Sequence, residues 1–205
     1  MERFVWVSGA VGHGTNLRPF RNDVGERDHS RLVAIQQLVE RGETLDRSDF
    51  PLEIFGAADA EEQHYRLPHL FFGYGYWVVS GVAADILRTF DLGRGGLYPV
   101  RVLKKDRRTP VDGEWYCLNF GNQKTVLVPE QSKSIRQRAQ GRYKQGRASS
   151  DFDLTVSSTA LSGPDIWVDT QLWDAFFLSE ALGQALRNAK ADGGFMLSKC
   201  RVVGA

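Results

Sequence analysis

The sequence predicts an α+β fold in which mixed and antiparallel sheets carry a few amphipathic helices. Three observations predict it. Short β-branched and aromatic runs recur along the chain, three segments space their apolar residues as helices do, and two distant stretches repeat one strand–helix–strand pattern. With 205 residues, 42% hydrophobic and 25% charged, the composition is that of a globular protein and excludes collagen, coiled coil and wholesale disorder.

The elements follow in chain order. Phe4 to Val7 reads as a strand running into Gly9, Gly12 and Gly14, where a loop follows. From His29 to Arg41, Leu32, Val33, Ile35, Leu38 and Val39 recur at helical spacing, and Gly42 stands where a C-terminal cap belongs. Glu43 to Glu62 is expected to be mostly irregular, with Pro51 confining any strand there to a sheet edge. The aromatic segment LPHLFFGYGYWVV then leads to Ser80, whose hydroxyl can cap a helix that buries Val82, Ala83, Ile86, Leu87 and Phe90.

Leu97 to Leu103, Glu114 to Phe120 and Lys124 to Val128 read as a three-stranded meander, with Gly121, Asn122 and Gln123 as a hairpin between the last two. Ser132 to Ser150 is poor in apolar residues and is expected to be a mobile loop. Short strands follow at Phe152 to Val156 and Ile166 to Val168, and Phe176 to Leu178 leads to a second capping serine, Ser179. Val78 to Val102 and Phe177 to Val202 then match: a strand end, a capping Ser, a helix closing with Leu–Arg, a Gly–Gly pair and a strand. The chain divides on this reading into an N-terminal part, 1–67, packing on an α+β unit, 68–205, in one compact body.

Function is first narrowed by what is missing. No apolar run is long enough to span a membrane and the start has no export signal, so a soluble cytoplasmic protein is expected. Cys117 and Cys200 are too far apart for a metal or redox motif and read as core residues. The glycines of SGAVGHG match neither the Walker nor the dinucleotide fingerprint. His64 and His69 lack zinc-hydrolase spacing, and Ser80 lacks the glycine of a nucleophile elbow. No cofactor, metal ligand or catalytic residue is predicted.

Charge distribution is more informative than its total of +1. Residues 1–70 hold 8 basic and 12 acidic groups, residues 71–150 hold 14 and 6, and residues 151–205 hold 4 and 7. Within the positive middle third, Lys133, Arg136, Arg138, Arg142, Lys144 and Arg147 surround Tyr143 with no acidic residue between Ser132 and Ser150. Such a stretch suits an acidic protein partner, or a phosphate backbone with one base stacked on Tyr143, or is simply a solvated loop. Tyr74 and Tyr76, from the aromatic cluster Phe71 to Trp77, are the second candidate contact set.

From Pro68 to Val202, the order HLFFGYGYWVVS, helix, LYPVRVL, WYCLNF, the serine of VPEQSKSI, DIWVDTQ, FFLSEALGQALRNA and GGFMLSKCRV resembles the Imm11-like immunity proteins of bacterial polymorphic toxin systems. The resemblance implies a non-enzymatic cytoplasmic antidote that binds one cognate toxin, often a type VI secretion effector, and it carries no catalytic motif. Two alternatives stand beside it. One is an enzyme using Ser80 or the Glu61, Glu62 and His64 cluster in a cleft between the repeated units; the other is a nucleic-acid-binding module built on the basic stretch.

Overall fold

The computed structural model describes residues 3–12, 14–138, 141–146, 150–173 and 175–204. Helices and short strands are mixed, and among the described residues the strands form four sheets, mixed or antiparallel. The largest sheet has the strand order Thr155–Ser157, Leu197–Val203, Phe4–Ser8, Phe176–Leu178, Ile166–Asp169, Gln123–Lys124. Both of its faces are buried. Trp6, Ile166, Val168, Phe176 and Leu178 belong to the main core, while Val5, Val7, Trp167, Phe177 and Cys200 form a second core on the other side. The period of two along each strand produces this division.

The repeated pattern corresponds to repeated topology. In the first unit the strand order is Leu70–Gly73, Tyr76–Ser80, Trp115–Asn119, Gly96–Pro99, with every pair antiparallel. In the second, Ile166–Asp169, Phe176–Leu178, Phe4–Ser8 and Leu197–Val203 stand in the same order and sense. Registers agree residue by residue. Leu70 faces Val79 as Ile166 faces Leu178, Val79 faces Tyr116 as Leu178 faces Trp6, and Tyr116 faces Pro99 as Trp6 faces Lys199.

Both helices begin alike. Ser80 and Ser179 are N-caps, accepting from the backbone N–H of Ala83 and Leu182, and their own N–H groups bond to the carbonyls of His69 and Asp165. Arg88, just past the first helix, Gly81–Leu87, lies 4.3 Å over the Tyr116 ring. Arg187, at the end of the second, Glu180–Asn188, lies 5.0 Å over Trp6. Within these four strands, the units differ in the source of the third. It follows the first unit in the chain but enters the second from the N-terminus.

Several sequence expectations are corrected. Leu97 to Val128 is not a meander: Trp115–Asn119 pairs with Gly96–Pro99, but Gln123–Lys124 lies in the other sheet, parallel to Ile166–Asp169. Pro51 does not confine its neighbourhood to an edge. The strand begins beyond it, at Glu53–Gly56, and is central between Phe20–Asn22 and Arg101–Leu103. Val82 is 54% exposed, because Ala83, Ala84 and Leu87 suffice to fill the inner face of so short a helix. Helix His29–Glu40 likewise buries Leu32, Ile35 and Val39 and exposes Val33 and Leu38.

One buried carboxylate fastens the far side of the large sheet. Asp169 is 1% exposed and accepts N–H bonds from Val126, Leu127 and Gln171 at 2.8, 2.9 and 2.8 Å. Asp169→Ala would strand three donors, and a loss of roughly 3 kcal/mol or more in unfolding free energy is expected by urea titration. A loss below 1 kcal/mol would mean that water replaces the carboxylate. Burial also outweighs these bonds and raises the Asp169 pKa. This group's contribution to stability is therefore fullest below the ordinary Asp range and falls as pH climbs through the raised value, a slope that Asp169→Asn should abolish.

Candidate functional site

The stretch expected to be a loop is a β-hairpin. Ile135–Gln137 pairs antiparallel with Tyr143–Gln145, which continues parallel to Leu172–Trp173. The register sets Ile135 opposite Gln145, Arg136 opposite Lys144 and Gln137 opposite Tyr143, and the Arg138 N–H bonds to the Arg142 carbonyl. Residues directly opposite one another share a sheet face. Arg136, Arg138, Arg142 and Lys144 therefore fall on one face, with Ile135, Gln137, Tyr143 and Gln145 on the other.

The second face is the inner one. Ile135 and Tyr143 pack on the core that covers the far side of the large sheet, and Gln145 is buried. This is why the hairpin forms: its odd-numbered side chains close that core while its even-numbered cations stay outside. Tyr143 is thus turned inward and half-buried, not held out for a stacked base. Lys133, Arg136 and Arg138 are exposed, and among the described residues no ion pair holds them. Arg147 lies outside the described residues.

Three cations of the other basic cluster of the middle third are paired within the molecule. Arg101 pairs with Glu53, Lys104 with Glu62, and Arg107 with Glu26 at 2.9 Å. All three carboxylates come from the acidic first 70 residues. Part of the charge imbalance along the chain is consequently resolved in three dimensions, and these pairs involve none of the cations of the hairpin.

The aromatic candidates separate. Tyr76 is fully buried, its ring against Phe50 and its hydroxyl donating to the Asp49 carbonyl at 2.7 Å. A ring with no exposed surface cannot contact a partner, so the expectation for Tyr76 is corrected: it belongs to the core. Phe71 and Trp77 are buried as well. Tyr74 is half-buried at a turn, with the Arg21 guanidinium 4.7 Å over its ring and donating to its hydroxyl at 2.6 Å.

The groups weighed for catalysis have local roles. Ser80 Oγ lies 2.6 Å from His69 Nδ1 while it caps its helix. The Glu61 N–H donates to His64 Nδ1, and Glu62 holds Lys104. A cleft of about 280 Å³ has Trp77, Phe120, Val168 and Ala175 as its apolar walls and Gln37, Glu40 and Arg41 among its polar ones. Neither Ser80 nor the Glu61 to His64 turn lines it. Cys117 and Cys200 are buried free thiols whose pKa values burial pushes up. Among the described residues, no group of three or more His, Cys, Asp and Glu could hold a metal, and no helix is long and apolar enough to cross a membrane.

What the sequence reading missed is the sidedness of the hairpin. A period of two was present, but only Ile135 and Tyr143 carry it among polar neighbours, too few to register as an apolar stripe. Compared with known proteins, residues 21–200 match the model of a family described as immunity protein family (Imm11). No curated protein matches the chain.

Proposed function

This chain belongs to the Imm11 immunity protein family, and from that premise we propose that it binds a cognate bacterial toxin in the cytoplasm and neutralises it by occlusion. The toxin on this reading is a polymorphic effector, such as one delivered by type VI secretion. The observation that carries the reading is the outer face of the hairpin, where Arg136, Arg138, Arg142 and Lys144 stand together on one side of a sheet. A field of one sign steers an acidic partner and raises its association rate, and arginine anchors often dominate such interfaces. A stable inhibitory complex buries on the order of 1,600 Å², more than a three-residue hairpin offers, so neighbouring surface takes part. Tyr74, half-exposed and braced by Arg21, is the aromatic contact that remains available.

The test takes as partner a toxin domain identified from the genes flanking this one, produced in an inactive form. Arg136→Glu, Arg138→Glu and Arg142→Glu together should weaken binding by about a hundredfold, chiefly through the association rate, and protection of cells against the active toxin should fail. Circular dichroism and thermal unfolding should stay as in the unaltered chain, since these side chains face solvent or the half-buried sheet margin. Unchanged affinity would remove the hairpin from the interface. A steep, salt-dependent affinity for single-stranded nucleic acid instead would transfer the face to a phosphate partner.

A further inference from the structure

The hairpin has an open edge as well as a charged face. Antiparallel ladders alternate hydrogen-bonded with non-hydrogen-bonded pairs. The Gly146 N–H bonds to the Ser134 carbonyl and the Arg138 N–H to the Arg142 carbonyl, both at 2.6 Å. With the register in between, this makes Arg136 and Lys144 the bonded pair and turns the N–H and C=O groups of Ile135 and Gln137 away from the hairpin. Ile135–Gln137 is the outermost strand of its sheet, and among the described residues no backbone group bonds to those outward N–H and C=O groups.

Two other strand edges among the described residues are covered. The margin of Leu70–Gly73 is bridged by Leu17, with the Arg18 N–H bonded to the Phe72 carbonyl. That of Thr155–Ser157 is bridged by Leu127, with the Ser157 N–H on the Val126 carbonyl. An open edge is a template for another strand, and charged side chains beside it select which strands are admitted.

We propose that the edge Ile135–Gln137 receives an extended segment of the toxin as an added β-strand, with carboxylates at alternate positions lying beside Arg136 and Arg138. This rests on the reading that the hairpin binds the toxin, and it specifies the partner's shape and chemistry. Backbone bonds from Ile135 and Gln137 supply the pairing. The alternating carboxylates follow from the period of two, because only every second side chain of the added strand shares the basic face. A second copy of this chain is disfavoured as occupant, since its own edge would bring like charges together on that face.

Two measurements with the same inactive toxin domain test this. In the free chain, the amides of Ile135 and Gln137 should exchange with solvent faster than that of Arg138, and in the complex they should slow by about tenfold or more. Gln137→Pro removes an outward N–H and no bond inside the hairpin, so affinity should fall about tenfold with the fold retained. Should that variant fail to fold, the exchange data on the unaltered chain decide. Loss of affinity on reversing Arg136 and Arg138, with Gln137→Pro binding normally and both amides unprotected, would overturn the added strand and leave the toxin reading standing. No binding by the unaltered chain would overturn both. Protection that appears in the chain alone as its concentration rises would assign the edge to a second copy and overturn the proposal.

Discussion

Replacing Asn122 by alanine is expected to lower stability by roughly 3–5 kcal/mol, or about 10 °C in melting temperature. Asn122 is 5% exposed and sits where the chain leaves the four-stranded sheet and enters the six-stranded one. Its Nδ2 donates to the carbonyls of Leu92, Phe120 and Ile166 at 2.7, 2.8 and 3.1 Å, two hydrogens shared among three acceptors. Its Oδ1 accepts the Arg94 N–H at 3.0 Å. One side chain thus ties together a turn after the first helix and the ends of strands from both units. Alanine would leave all four backbone groups without this partner in a site with little room for water.

Asn122→Asp separates bonding from packing. The shape is kept and the bond from Arg94 can persist, but an oxygen would face three carbonyl oxygens. Aspartate should therefore be at least as damaging as alanine near neutral pH, measured by calorimetry. If aspartate proved harmless, the donor role assigned to Nδ2 would be wrong.

The second large effect is expected at Gly183, inside the helix Glu180–Asn188. Glycine to alanine in a helix ordinarily gains up to about 1 kcal/mol. At Gly183 it should cost about 2–4 kcal/mol instead, because a Cβ there would collide with Cδ1 of Trp6. Trp6 cannot easily yield. It is fully buried, bonds through its indole N–H to the Glu180 carbonyl, and lies under the Arg187 guanidinium. The first unit has Ala84 at the matching helix position and the smaller Tyr116 at the matching strand position, so glycine is required only where the indole stands. Denaturant unfolding of Gly183→Ala beside Trp6→Phe/Gly183→Ala checks the cause: the smaller ring should recover part of the loss. No recovery would place the strain elsewhere.

Much of the architecture was legible before the structure. The capping serines, the helix at His29, the strand at Phe4 and the matched strand–helix–strand units all depend on signals within a few residues: a side-chain oxygen reaching its own first turn, or an apolar spacing of three and four. Expectations failed where the outcome depended on a distant partner. Lys124 to Val128 looks like the next strand of a meander, yet its start pairs with Ile166–Asp169, some forty residues away. Val82 fits an apolar helical stripe, but the inner face of that helix is already filled by Ala83, Ala84 and Leu87. For the candidate interface, the concentration of cations between Lys133 and Lys144 was visible, whereas Tyr76 could not be told from an exposed aromatic, since a ring rich enough to anchor a partner is equally suited to a core.

By itself, the sequence determined the α+β class, the two serine-capped helices, the family and the placing of unbalanced positive charge in the middle third. The class, the caps and the charge are matters of local propensity, periodicity and composition, carried by neighbours in the chain, whereas the family is carried by the order of motifs along it. Only the tertiary structure decided that Phe4–Ser8 completes the C-terminal unit, that three cations of one basic cluster pair with carboxylates from the first 70 residues, and that the other cluster is aligned on a single outer face. The physical reason is that strand pairing and charge pairing are contests among distant segments, settled by which arrangement buries the most apolar surface while leaving the fewest polar groups alone.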